Sequence, residues 1–161
     1  MKKFFKNKYF GVFIIFSFLI YMMSNGEWCI PIFAWIYPIL FLCMVDLNHT
    51  RKVYLIISSI YAVGFVVQFG RAIGMDIKIC IMVAVLLSFL KVLPYIYWSK
   101  SKMRFQDTII FASIMVSIEY IIYLIYPASG GLSDAYTQYQ NLYLLQIVTV
   151  TGIYGVTFLM Y

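Results

Sequence analysis

Six apolar runs separated by short polar stretches limit the fold of this chain more than any other feature of its sequence. A helix needs about 20 mostly apolar residues to cross a bilayer, and each run meets or approaches that length. The first two runs are short and only residues 24–28 separate them, which predicts a tight helical hairpin. The predicted spans are Tyr9–Met23, Cys29–Val45, Val53–Phe69, Ile79–Trp98, Thr108–Tyr126 and Tyr143–Tyr161.

The composition is typical of a polytopic membrane protein and excludes most other classes. Apolar residues make up 64% of the chain and charged residues only 11%, so too few polar side chains exist to cover a water-soluble fold. The runs are continuously apolar and do not alternate, which disfavours a β-barrel. The net charge of +6 comes mostly from basic residues in loops and does not indicate a nucleic-acid partner. We therefore predict an all-α transmembrane helix bundle, with residues 1–161 as a single membrane domain.

The distribution of lysine and arginine predicts a cytoplasmic N-terminus. Basic residues concentrate in the N-terminal segment, in the loop after the second run and in the loop after the fourth. The opposite side holds only Arg71 and Lys78. Short cytoplasmic loops carry such an excess of positive charge. Six spans place the C-terminus in the cytoplasm as well, and they leave the polar segment 127–142 as a loop on the outer side.

Lys91 and Glu119 are the two ionisable residues inside the predicted spans. A charge in the middle of a membrane is costly, so such residues usually face a protein interior or a cavity. The predicted depths of the two residues differ by about 6 Å along the helix axes, which a lysine side chain bridges. We therefore treat them as candidates for an intramembrane ion pair. A proton or substrate relay, and snorkelling of Lys91 to the inner interface, stay open as alternatives.

Small residues mark the helix faces that we expect to pack against neighbours. Ser58, Ala62 and Gly64 lie on the third run, and Thr151 and Gly155 lie four residues apart on the sixth. Helices in lipid associate through such small surfaces because lipid offers no hydrophobic drive for association. We interpret these positions as packing contacts, and a substrate groove is the less favoured interpretation.

The sequence indicates no metal, cofactor or nucleotide site. Cys29, Cys43 and Cys80 lie in apolar runs without CxxC spacing, and the single histidine, His49, is not enough for a zinc site of the usual composition. The GxSxG elbow, the P-loop and GxGxxG are absent from the sequence. Cys29 and Cys80 both lie near the predicted outer edge, so a disulfide between them stays open.

Three stretches carry a family resemblance. In residues 136–159, a loop rich in Tyr and Gln leads to a helix with a Gln, then two glycines and an aromatic residue. Phe33–Leu40 contains a Trp followed by Pro-Ile-Leu, and Ser117–Tyr120 contains a Glu-Tyr pair. Together these stretches resemble the N-terminal membrane domain of the apolipoprotein N-acyltransferases. The matched motif positions in the last run are Gln146, Gly152, Tyr154, Gly155 and Phe158.

The resemblance implies a reaction whose machinery lies in a second domain. In that family a nitrilase-like domain on the outer side follows the membrane helices and carries a Glu-Lys-Cys triad. Its cysteine takes an acyl chain from a phospholipid as a thioester and passes it to the α-amine of a lipoprotein's diacylglyceryl-cysteine. The sequence stops at Tyr161 without such a domain, so no residue is carried over as catalytic. Thr157 stands where the family usually has serine, and Ile122 where it usually has arginine.

Three functions stay open on the sequence. The first is the membrane-embedded N-terminal part of an acyltransferase-like protein in the bacterial cytoplasmic membrane, serving as anchor and lipid-facing scaffold and inactive alone. Its implied partners are membrane phospholipid and a nitrilase-like catalytic domain, in cis or in trans. The second is a complete small integral membrane protein that binds lipid or a partner protein. The third is a small transporter, which would predict internal repeats or broken helices around a polar site.

Overall fold

The computed structural model describes residues 9–26, 29–70, 76–102, 104–125 and 133–161. All regular secondary structure in these ranges is helical, which confirms the predicted all-α membrane bundle. The chain divides into two compact units, Met1–Lys100 and Ser101–Tyr161. That residues 1–161 form one membrane domain stays a prediction.

The described residues of the first unit form four helices, and each covers one predicted apolar run. They are α1 Phe10–Met22, α2 Pro31–Leu47, α3 Arg51–Phe69 and α4 Ile77–Lys100. Pro31 suits the first position of α2, because its missing N–H would have no partner in the first turn of a helix. Helices α1 and α2 pack against each other, and Gly26 turns the chain between them with a φ of 78°. The first two runs therefore form the predicted hairpin.

Helix length differs within the first unit. With 19 and 24 residues, α3 and α4 are long and apolar enough to cross a membrane. Helices α1 and α2 are apolar but have only 13 and 17 residues. At 1.5 Å per residue, α1 is about 20 Å long, whereas the hydrocarbon core of a bilayer is about 30 Å thick. The first two predicted spans are thus helical but short.

Residues 104–125 and 133–161 of the second unit form one long helix and three short ones. They are α5 Phe105–Ile125, a 3₁₀ helix Asp134–Gln138, α6 Leu142–Thr151 and α7 Ile153–Met160. With 21 residues, α5 is also long and apolar enough to cross a membrane. The Asp107 carboxylate stabilises the first turn of α5 by accepting a hydrogen bond from the Arg104 backbone N–H at 2.9 Å. The Asn141 side chain caps α6 by accepting from the Leu144 backbone N–H at 3.3 Å.

The sixth predicted span, Tyr143–Tyr161, is not one straight helix. The chain bends by 117° between α6 and α7. Gly152, at the break, has φ 69° and ψ 178°, a left-handed conformation that glycine adopts readily and that does not continue a helix. Together α6 and α7 have the length and composition of one broken span or of a re-entrant pair. The cytoplasmic location of the C-terminus stays a prediction.

Part of the predicted outer loop 127–142 is folded and buried. Residues 127–132 lie outside the described residues, as do Arg71 and the N-terminal lysines that supported the predicted orientation. Between Ser133 and Gln138, all side chains except that of Tyr136 are buried, because the 3₁₀ helix packs against α7, whereas residues 139–142 are exposed. The buried residues of this segment are Ser133, Asp134, Ala135, Thr137 and Gln138.

The outward faces of the long helices are apolar. On α4, for example, Met82 and Leu86 are 67% and 62% exposed, and on α3 Leu55 and Val67 are 60% and 63% exposed. Water-soluble monomers rarely expose large continuous apolar surfaces. Such faces are those expected of helices that contact lipid.

Candidate functional site

An aromatic cluster fills the core of the first unit. Neighbouring rings in it have centroids 5.0 to 6.4 Å apart, mostly edge to face, which is a geometry that aromatic pairs prefer. All its members are buried, and they come from all four helices. The cluster consists of Tyr21, Tyr37, Phe41, Tyr61 and Tyr95.

Lys91, one of the two predicted intramembrane charges, lies beside the aromatic cluster. Its Nζ is 5.7 Å from the centroid of the Tyr61 ring, which is within the range of a cation–π interaction. The Tyr61 hydroxyl forms a hydrogen bond of 3.0 Å with that of Tyr95. The ring face therefore gives the Lys91 ammonium a favourable contact that the sequence did not predict. Its ion pair with Glu119, which belongs to the second unit, stays a prediction.

Polar contacts join helices elsewhere in the first unit. The hydroxyls of Ser58 on α3 and Ser88 on α4 are 2.9 Å apart, so the small face predicted around Ser58 does pack against a neighbouring helix. The Gln68 amide Nε2 donates to the backbone carbonyls of Tyr21 at 2.8 Å and Met22 at 3.3 Å. These carbonyls belong to the last turn of α1, which is a helix end that needs donors. Gln68 thereby ties the end of α1 to α3.

Glu119, the other predicted intramembrane charge, is the centre of a buried polar cluster in the second unit. Its side chain on α5 is more than nine-tenths buried. The Ser133 hydroxyl donates to Glu119 Oε2 at 2.8 Å, and the Thr157 hydroxyl on α7 lies 3.4 Å from the same oxygen. The Ser133 and Thr157 hydroxyl oxygens are 3.0 Å from each other. One carboxylate oxygen thus connects α5, the segment before the 3₁₀ helix, and α7.

Helix α7 runs antiparallel to α5. Its first turn contacts the last part of α5, where the Tyr154 ring lies 5.4 Å from Tyr120 and 6.4 Å from Tyr123. Beyond its end, the Tyr161 ring lies 6.2 Å from Phe111, much earlier on α5. The Tyr161 hydroxyl also donates a hydrogen bond to the Asp134 carboxylate. The second unit therefore contains two buried acidic side chains, Glu119 beside two hydroxyl groups and Asp134 bonded to that of Tyr161.

The five motif positions lie at the break of the sixth run and on both sides of it. Gly152 forms the break, and Gln146 is exposed on α6. On α7, Tyr154 contacts α5, Gly155 is half-buried and Phe158 is exposed. Only the role of Gly152 in bending the chain follows from the geometry. That the other four act as a functional motif stays a prediction.

The three cysteines are not joined in disulfides. Cys43 and Cys80 lie within α2 and α4, whereas Cys29 lies ahead of α2, where burial raises the pKa of its thiol. A raised pKa lowers the thiolate fraction and hence the reactivity. In the described part of the chain, no group of three or more His, Cys, Asp or Glu side chains could hold a metal ion.

Sequence reasoning identified Glu119 but missed its partners. Ser133 lies in a polar stretch that the sequence predicts to be a loop, and Thr157 lies in a predicted apolar span. The signal that could have found them is the isolated acid itself, because a buried carboxylate needs hydrogen-bond donors nearby. The aromatic cluster was also missed, although single tyrosines within apolar runs are its sequence signal.

Comparison with known proteins identifies the family. The model of the apolipoprotein N-acyltransferase N-terminal domain matches residues 10–161, which include the seven α-helices found in the described residues. Neither the comparison with curated proteins nor that with solved structures gave a match. The family resemblance seen in the sequence, which was to the N-terminal domain, is therefore confirmed. With the apolar helices described above, this match means that the chain belongs to the apolipoprotein N-acyltransferase N-terminal domain family and is a multi-pass membrane domain.

Proposed function

We propose that this membrane domain of an apolipoprotein N-acyltransferase-like protein serves as an anchor and lipid-facing scaffold, and that it transfers no acyl chain by itself. The family match over residues 10–161 is the observation that carries the proposal. It assigns nearly the whole chain to the membrane part of an enzyme family whose name states the reaction.

The lipid-facing role is supported by the surface of the helices. Helix α4 is 24 residues long, and apolar side chains such as Met82 and Leu86 point away from its neighbours. An acyl donor that is a phospholipid resides in the same bilayer. A scaffold of this kind holds a catalytic domain next to its lipid substrate and raises the local concentration of that substrate. The bacterial cytoplasmic membrane is the location that this role implies.

The lack of activity is supported by the surroundings of two of the three thiols, those of Cys29 and Cys80. A nucleophile for acyl transfer is activated by a base within hydrogen-bond reach. The Cys29 thiol instead lies 3.4 Å from the Ser24 backbone carbonyl, and Cys80 is fully buried on α4. The proposal therefore requires a nitrilase-like catalytic domain, in cis or in trans, to supply the Glu-Lys-Cys triad.

The test measures membrane association and acyl transfer on the same purified chain. The chain is expressed with an affinity tag, and its membranes are extracted with alkaline carbonate. It is then reconstituted in vesicles whose phospholipid carries a radiolabelled acyl chain, with a diacylglyceryl-cysteine peptide as acceptor. We expect the chain to stay in the membrane pellet, and we expect no N-acylated peptide. A complete enzyme of the family, assayed in parallel, is the positive control.

A cysteine-free variant gives the matched control for activity. The variant has alanine in place of Cys29, Cys43 and Cys80. An acyl thioester on the chain would appear as bound acyl label that hydroxylamine releases and that is absent from this variant. That result would contradict the proposed inactivity. Release of the chain by carbonate would contradict the proposed anchor role.

A further inference from the structure

The polar segment Ser133–Gln138 reaches into the second unit to the level of Glu119. Glu119 lies six residues before Ile125, the last residue of α5, which is about 9 Å along the helix axis. The hydrogen bond from the Ser133 hydroxyl to Glu119 Oε2 places Ser133 beside this level. Because α5 is long and apolar enough to cross a membrane, this level lies inside the hydrocarbon region if α5 spans it.

The polar groups of the segment Ser133–Gln138 form hydrogen bonds with one another and with Tyr161. The Thr137 hydroxyl donates to the Asp134 backbone carbonyl at 2.7 Å, and the Gln138 side-chain amide donates to the Thr137 hydroxyl at 2.9 Å. The Asp134 carboxylate accepts from the Tyr161 hydroxyl. Irregular backbone at membrane depth is tolerated only where protein covers it or where it lines a cavity. The burial of this segment meets the first of these conditions.

Glu119 is where this segment, α5 and α7 meet. The Ser133 and Thr157 hydroxyls both lie within hydrogen-bond distance of Oε2, and Thr157 has no exposed surface. Hydrogen bonds to a carboxylate are about twice as strong as those between neutral groups. When this acceptor is lost, the Ser133 and Thr157 hydroxyls still have each other at 3.0 Å, and Thr157 has the Ile153 backbone carbonyl at 3.5 Å. The hydrogen bond that joins Ser133 to α5 is lost, which favours separation of the segment from α5.

We propose that Glu119 is a latch that holds Ser133–Gln138 as a re-entrant strap against α5 and α7. The structure has the latch closed. When the carboxylate acceptor is lost, the strap moves away from α5 and its buried polar side chains become accessible to water. This device depends on the membrane location of the domain, which the family match establishes, and it does not depend on whether the chain alone is catalytic.

The test measures how fast a water-soluble maleimide labels single cysteines in native membranes. Cys29, Cys43 and Cys80 are first replaced by alanine. The reporter is Ala135→Cys, because Ala135 is buried in the strap and small enough for a conservative change. Its matched control is Tyr136→Cys, since the neighbouring Tyr136 is 48% exposed. In the background with Glu119 intact, we expect the reporter to be labelled much more slowly than the control.

Two substitutions of Glu119 then separate the latch from general packing. Glu119→Leu removes the acceptor, and we expect reporter labelling to rise about tenfold or more, the size that a hydrogen bond to a charged group supports. Glu119→Gln keeps an amide oxygen as acceptor, so we expect labelling to rise no more than about twofold on the same reasoning. Labelling at Tyr136→Cys should change little in either case.

Further variants show whether the protein stays folded. Ala84→Cys on α4 is fully buried in the first unit and should stay protected in every background. If Glu119→Leu exposes that site as well, the decision rests on Ser133→Ala. This change removes one donor and keeps the Glu119 carboxylate, with the Thr157 hydroxyl still 3.4 Å from Oε2. Ser133→Ala should raise reporter labelling about threefold or more. Two results would overturn the latch. The first is unchanged reporter labelling in a variant that keeps Ala84→Cys protected. The second is an equal rise of the reporter labelling rate in Glu119→Leu and Glu119→Gln.

Discussion

Replacing Gly64 by alanine tests how closely α1 and α3 approach each other. A Cβ atom at Gly64 would overlap the Tyr21 ring and would lie 2.8 Å from the Met22 methyl carbon. The Met22 side chain is flexible and can move. The Tyr21 ring is 7% exposed and meets three other rings of the aromatic cluster, so it cannot move without disturbing them. The structure therefore predicts that Gly64→Ala forces the two helices or the cluster to shift.

The size of the effect follows from two opposing contributions. Overfilling a packed core usually costs about 1–3 kcal/mol. Alanine favours a helix over glycine by about 0.5–1 kcal/mol, which offsets part of that cost. Gly11→Ala on α1 is the matched control, because a Cβ there meets no atom within 4 Å. The free energies of unfolding of the two variants should therefore differ by the cost of the overlap alone. This cost is about 1–3 kcal/mol, or about 5- to 150-fold in the unfolding equilibrium constant.

The assay is unfolding by sodium dodecyl sulfate added to the protein in mild-detergent micelles. Tryptophan fluorescence reports the transition, because Trp35 lies on α2 in the first unit. We expect Gly64→Ala to unfold at a clearly lower dodecyl sulfate fraction than Gly11→Ala. If both variants unfold at the same fraction, the close contact between Gly64 and Tyr21 is refuted.

Three further predictions use the same unfolding assay. A double-mutant cycle of Ser58→Ala and Ser88→Ala should give a coupling free energy of about 0.6 kcal/mol, and no more than about 1.7 kcal/mol, because the two hydroxyls share one interhelical hydrogen bond. Strictly additive effects would exclude this hydrogen bond. Gly152→Ala should destabilise the bent chain by about 1–3 kcal/mol through backbone conformation alone, since a Cβ there meets no atom within 4 Å. A neutral effect would mean that the bend tolerates ordinary residues. If the predicted ion pair exists, a cycle of Lys91→Met and Glu119→Gln should be non-additive, and additive effects on stability and membrane accumulation would exclude it.

The positions of the helices could be predicted from the sequence because hydrophobicity is a local property. Every predicted apolar run contains a helix, and the short linker of residues 24–28 correctly predicted a hairpin. The sixth run shows where this reasoning fails. Its composition resembles that of a continuous span, and only the backbone conformation of Gly152 reveals the break. Glycine is permissive and does not require a bend, so its presence alone could not decide between the two forms.

The sequence by itself determined that the chain is an all-helical membrane protein of a recognisable family, because length, continuous hydrophobicity and short motifs are readable without knowing any contact. The partners of the charged residues were decided only by the tertiary structure. Glu119 is bonded to Ser133 and Thr157, 14 and 38 residues away, and the Lys91 ammonium lies over the ring of Tyr61. Such partners depend on which helix faces meet, and many packings satisfy the same pattern of hydrophobicity.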